Sequence, residues 1–163
     1  MHFYQIIENL SKERKLLIFV DMDGVIASYD IGKPYDFDKK RPLITNINTL
    51  KRLNSLENCE LYILSICKKN YQIKEKNDWL DLNAPFFKKE SRIIISKENS
   101  SITESGILKA NYLNNLNTKN QIILVDDDNK VLKIVKENVK NITPHYDNTL
   151  NPPFYKRYLN TYC

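Results

Sequence analysis

Two short stretches of this chain concentrate acids where a fold could use them. Asp21, Asp23 and Gly24 follow the apolar run Lys15 to Val20 (KLLIFV), and Asp126, Asp127 and Asp128 follow Gln121 to Val125 (QIILV). A third apolar run, Glu60 to Ser65 (ELYILS), ends on a hydroxyl, with Lys68 and Lys69 close behind. Asp and Ser often end strands because they favour turns, and that accounts for one such ending. It does not account for two acidic clusters behind two strands that can lie side by side. Carboxylates packed together repel, and one is driven to take up a proton unless a cation intervenes. Mg²⁺ accepts oxygen ligands in octahedral geometry and removes the conflict. Asp21, Asp23 and Asp126 are therefore read as functional acids.

The residues between these runs must place them at one edge. Phe3, Ile6, Ile7 and Leu10 share one helical face, and Ile44, Ile47, Leu50 and Leu53 recur at helical spacing after Pro42, a residue suited to opening a helix. Further helices are expected over Tyr71 to Leu82, Ile102 to Leu116 and around Val131, Leu132 and Val135. Arg92 to Ser96 (RIIIS) reads as another strand, and Lys140 to Thr143 as a weak fifth strand cut off by Pro144. In the tail, Pro152 and Pro153 precede a short helix around Tyr155 to Leu159. Apolar strands alternating with helices predict a parallel sheet covered on both faces, with right-handed crossovers. In such sheets ligands bind beyond the carboxyl ends of the strands, which is where these acids fall.

Composition bounds the rest. A chain of 163 residues is read as one domain, long enough to bury a core without disulfides. Its 25 basic and 20 acidic residues give +5, which permits anionic substrates without requiring them. Cys59, Cys67 and Cys163 form no CxxC pattern, and with His2 and His145 as the only histidines they make no zinc set. Free thiols suit a reducing compartment. The start, MHFYQIIENLSKERK, carries acids and no small-residue cleavage site, and no apolar run reaches the roughly 18 residues of a membrane span. The expectation is a cytoplasmic protein with no membrane partner.

Asp21-Met22-Asp23-Gly24-Val25 resembles motif I of the haloacid dehalogenase (HAD) superfamily. Ser65 resembles its motif II, and Asp126-Asp127 after Ile-Ile-Leu-Val its motif IV. The resemblance spans roughly residues 15 to 145. Asp-Met-Asp-Gly-Val-Ile-Ala is most similar to the 5′(3′)-deoxyribonucleotidase-like branch. The resemblance implies a three-layer α/β, HAD-like (Rossmannoid) fold with strand order 3-2-1-4-5. It implies a Mg²⁺-dependent phosphomonoesterase in which Asp21 attacks phosphorus to form an aspartyl-phosphate. Asp23 would protonate the leaving oxygen and then activate water. Mg²⁺ would be held by Asp21, the Asp23 carbonyl and Asp126, with Asp127 in support. Asp128 is read as a helix N-cap or a solvated acid. Ser65 would donate to a phosphoryl oxygen. Lys109, in Leu108-Lys109-Ala110-Asn111-Tyr112-Leu113, best resembles the motif III lysine, with Lys97 and Lys119 as alternatives.

Such enzymes often close a cap over small substrates. Between Ile26 and Glu60 a crossover helix takes much of the chain, leaving a flap of about residues 27–41 and no cap domain. The expected cleft is open, rimmed by Tyr29, Tyr35, Lys68, Lys69, His145 and Tyr146, with Lys68, Lys69 and His145 as substrate contacts. The tail, about 144–163, is read as packing on the domain, with its aromatics as an alternative base-stacking surface. A nucleotide or a nucleic-acid-end phosphate is the expected substrate and partner. A phosphoprotein or sugar phosphate is the alternative, as is a non-catalytic HAD-like binding domain. Cys67 and Trp79 are read as core.

Overall fold

The central run Leu16–Val20 (β1) is buried along its whole length, because both of its faces are covered. In this computed structural model, which describes residues 3–29 and 36–146, β1 pairs in parallel with Cys59–Cys67 (β2) on one side and Gln121–Asp126 (β4) on the other. Arg92–Ser96 (β3) extends the sheet beyond β2, and Ile142–Tyr146 (β5) beyond β4. The order β3-β2-β1-β4-β5 is the expected 3-2-1-4-5. Its point of reversal lies between β1 and β4, where the two acidic clusters end their strands.

Helices cover both faces. Phe3–Ser11 (α1), Ile44–Leu53 (α2) and Tyr71–Asn83 (α3) bury Ile7, Leu50 and Trp79 with Ile18, Val20 and Ile63 of the sheet. Ser105–Asn115 (α4) and Asn129–Asn138 (α5) bury Leu113, Leu132 and Val135 with Leu17, Phe19 and Leu124 on the other face. The two-residue period of the strands decides what happens at their ends. Continuing the alternation sends Asp21 and Asp126 towards the α4 and α5 side, and Ser65 towards the α3 side. The site is thus split between two layers before any side chain is oriented.

β5 differs from expectation. It begins later and runs through Pro144 to Tyr146, so these residues belong to the sheet and not to the tail. Proline lacks an N–H, but β5 pairs only with β4, and an edge strand has one side that needs no donor. The rest of the tail, including the helix expected at 155–159, lies outside the described residues, as does Tyr35. The helix expected from Ile102 begins at Ser105. No separate cap domain stands among the described residues. The flap closes on itself at its base: the Ser28 N–H donates to the Arg41 carbonyl (2.8 Å), and the Arg41 N–H to Ser28 Oγ (3.0 Å). A short 3₁₀ turn, Phe37–Lys39, then packs Phe37 edge-on against Trp79 of α3. Among the described residues no helix is long and apolar enough to cross a membrane.

Candidate active site

The first half of the site is a buried acidic cluster with one cation. Asp21, Asp126 and Asp127 each bring a carboxylate oxygen within 4.8 Å of the others. Lys109, on the buried face of α4 with Gly106, Ala110 and Leu113, donates to Asp21 Oδ1 (2.9 Å) and Asp126 Oδ2 (2.6 Å). The other oxygen of Asp126 accepts the Asp128 N–H at 3.0 Å. Asp128 itself caps α5, accepting from the backbone N–H groups of Lys130 and Val131. Burial works against the Lys109 ammonium, but Asp21 and Asp126 outweigh it and hold the lysine above its ordinary range. Burial pushes Asp126 up to about 6, against the pull of Lys109, and pushes Asp127 up to about 7 with the charges of Asp21 and Asp126 adding to it. Three hard oxygen donors short of positive charge suit Mg²⁺. The acid completing this cluster is Asp127, expected only as support. The Asp23 side chain turns elsewhere.

Gly24 makes room for that arrangement. It sits at φ +76°, and a Cβ there would fall 1.9 Å from Asp127 Oδ2. Glycine is needed both for the turn and for the approach of the acid.

The raised Asp127 value has a consequence for stability. Its folded pKa lies above the ordinary 3.8. Its contribution is therefore present in full at low pH and is lost as pH rises through about 7. The metal-free protein is expected to melt at a lower temperature at about pH 8 than at about pH 5, and Mg²⁺ to raise the melting temperature more at the higher pH. Asp127→Asn should flatten this dependence. A melting temperature insensitive to both pH and Mg²⁺ would contradict the electrostatic account of the cluster.

The second half is basic, and two of its members carried no expectation. Asp23 is gripped by Lys40 of the flap and by Lys76 of α3, the latter at 2.6 Å. Lys76 also donates to Ser65 Oγ (2.8 Å) and to the Ile66 carbonyl (3.3 Å). Burial alone would raise the Asp23 carboxyl, but Lys76 and Lys40 overcome it and hold the group below its usual range. Lys76 shares the buried face of α3 with Gln72, Trp79 and Leu80, so its signal was a lysine three residues before Trp79 on an apolar stripe. Lys40 has no such periodicity. It is placed by Trp79 Nε1, which donates to its carbonyl at 2.9 Å.

The remaining expected residues scatter. Lys119 is exposed before β4, and Lys97 enters the sheet edge through its backbone, donating to the Cys67 carbonyl. Neither matches the contacts of Lys109. Lys68 and Lys69 are exposed after β2, where their N–H groups donate to Gln72 Oε1, and the Lys69 ammonium pairs with Glu98. Tyr29 is exposed beside Lys40. His145 departs from its expected substrate contact. Its ring stacks on Phe3 of α1 at 4.2 Å, and burial holds it down at about 4. Its position on β5, opposite Val125, points it into the α1 layer. Tyr146 packs against the α5 layer. Cys59 and Cys67 are buried free thiols, and Trp79 is core.

The chain is a parallel α/β fold in the order β3-β2-β1-β4-β5, with a three-acid cluster at the reversal of strand order. No family model and no curated protein matches the sequence. Solved structures do. One chain of the Pnkp1/Rnl/Hen1 RNA repair complex is 15% identical with a TM-score of 0.61, over 82% of this chain and 44% of that one. A second structure of the Pnkp1/Rnl/Hen1 complex gives 14% and 0.62, over 82% and 46%. The N-terminal part of a Bacteroides fragilis protein, containing a phosphatase domain complexed with Mg, gives 16% and 0.53, over 86% and 38%. The chain spans less than half the length of each of these chains.

Proposed function

We propose that this chain is a Mg²⁺-dependent phosphomonoesterase that works through an aspartyl-phosphate and acts on terminal phosphates of nucleic acids. The observation that carries it is the buried cluster of Asp21, Asp126 and Asp127 with Lys109, set opposite the Asp23 and Ser65 half. The likeness to a phosphatase domain complexed with Mg and to a chain of an RNA repair complex supports the substrate class.

Asp21, Asp126 and Asp127 would hold the ion, which when bound screens the charge between carboxylate and phosphate. Lys109 keeps Asp21 oriented and adds positive charge beside it. The Asp21 carboxylate attacks phosphorus, and the bond to the leaving oxygen breaks as Asp23 supplies that oxygen with a proton. Water then attacks phosphorus, Asp23 takes a proton back, and inorganic phosphate leaves with Asp21 restored. Ser65 Oγ already accepts from Lys76, so its own proton is free for a phosphoryl oxygen. Lys40 and Lys76 lower the proton affinity of Asp23, and withdrawal of either towards an incoming anion raises it again.

Two assays test this reading. Hydrolysis of p-nitrophenyl phosphate that depends on Mg²⁺ is expected. Its absence would leave a binding domain. An oligonucleotide bearing a terminal phosphate is then expected to be a better substrate than a mononucleotide, with activity falling as salt rises, because counterions are displaced on binding. Activity confined to mononucleotides would defeat the polymer substrate and leave the phosphatase standing.

A further inference from the structure

The second half of the site holds a buried excess of positive charge. The side chains of Lys40 and Lys76 are only 1% and 3% exposed. Among the described residues, Asp23 is the only carboxylate with which either forms an ion pair. Both ammonium groups lie over the ring of buried Phe37, at 5.1 and 4.7 Å, and a ring face compensates a cation only in part. Two cations against one carboxylate face three carboxylates against one cation in the other half. Buried charge without a counter-charge is costly, so each half is complementary to an ion of the opposite sign. The acidic half suits a divalent cation. The basic half suits an anion.

That anion need not be the transferred phosphoryl group. In the reading above, Asp21 beside Lys109 and the Ser65 hydroxyl beside Lys76 already address that group. The ammonium groups of Lys40 and Lys76 both flank Asp23, the residue assigned to the leaving oxygen. We propose that Lys40 and Lys76 form an anion subsite that receives a second charged group of the substrate, the phosphodiester next to the terminal phosphate on its leaving-group side. The assignment rests on the phosphatase reading above. Asp23, 24% exposed, is where solvent reaches this group of side chains. Tyr29, 61% exposed, stands with its ring 5.7 Å from the Lys40 ammonium, where it can stack on the attached nucleoside. Lys40 arrives from the flap, anchored by Trp79, and Lys76 from the rigid α3, so the pair is set before substrate arrives.

Two dinucleotide 3′-phosphates separate this subsite from the site of hydrolysis. One has a phosphodiester as its internal link and the other an uncharged methylphosphonate, with the same terminal phosphate. Binding is measured with Mg²⁺ in the Asp21→Asn background, so that neither compound is consumed. The charged compound is expected to bind at least about tenfold more tightly. Lys40→Met and Lys76→Met, each added to that background, should bring the ratio close to one. Equal affinities with both lysines present overturn the subsite, as does failure of the charged compound to bind, or a ratio that survives both substitutions. The ratio is taken within each protein, so a general loss of affinity in a variant does not disturb it. The first comparison needs no lysine variant and stands even where one fails to fold. Failure of the phosphatase reading shows separately, as a wild-type chain that preserves the binding ratio but leaves p-nitrophenyl phosphate intact.

Discussion

Asp21→Asn is expected to lower turnover of p-nitrophenyl phosphate by at least about 10³-fold, with circular dichroism unchanged. The amide has nearly the shape of the carboxylate, and the residue ends a strand whose pairing does not depend on its side chain. Its backbone N–H donates to the Val125 carbonyl at 2.9 Å, which the substitution preserves. On the proposed mechanism the substitution removes the nucleophile, because an amide attacks phosphorus poorly, and one anionic ligand of the ion. The change also takes one anion from Lys109, which keeps its 2.6 Å bond to Asp126. A variant retaining near-normal turnover would show that the reaction does not pass through this carboxylate.

Lys109→Met is expected to damage both activity and stability, which sets it apart from the first substitution. Methionine fills similar volume but leaves Asp21 and Asp126 buried without their cation. Breaking a buried pair from one side costs about 3–5 kcal/mol, since the remaining charge stays desolvated. In a chain of 163 residues that corresponds to a drop in melting temperature of about 6–20 °C. Mg²⁺ should recover part of the stability by supplying positive charge to the same acids, but not the turnover. Calorimetry with and without Mg²⁺ measures it. Lys97→Met and Lys119→Met, at the sheet edge and in an exposed loop, should leave the melting temperature within about 1 °C. A larger effect at either would move the role of cation away from α4.

The strands and the ends they present were readable because parallel, doubly covered strands are written as unbroken apolar runs. Leu16–Val20, Arg92–Ser96 and Gln121–Val125 needed no other signal. The alternation within those runs also carries the division of the site into two layers, since Asp21 and Asp126 continue one parity and Ser65 the other. Three features were harder to read for separate reasons. Lys76 lies on an apolar stripe that also contains Gln72, so the stripe looks weak and the lysine looks solvated. Lys40 is placed by tertiary contacts of an irregular segment, for which no periodicity exists. His145 follows a proline that reads as a strand end, and only the edge position of β5 makes that proline harmless. The carboxylates that meet are those of Asp21, Asp126 and Asp127, where the sequence reading used the Asp23 carbonyl as a ligand and Asp127 as support. Gly24, at φ +76°, leaves room for the Asp127 carboxylate beside the turn, and no periodicity in the sequence reports that approach.

The closed base of the flap separates the length of that segment from the integrity of the fold. Ser28 and Arg41 are tied to each other, and the Leu43 N–H donates to the Ile26 carbonyl at 2.8 Å, so the chain enters α2 at a fixed point whatever lies between. For a loop anchored this way, doubling its length adds only about 0.6 kcal/mol of closure entropy. The segment is therefore a natural graft point. A foreign hairpin, or a small helical module, can replace the residues between Tyr29 and Asp36 without changing the register of β1 on β2. The graft must leave Phe37 and Lys40 in place, because their partners are on α3. The number of residues between Tyr29 and Asp36 is thereby uncoupled from the pairing of the sheet, and it can change without moving Asp21 or Asp126.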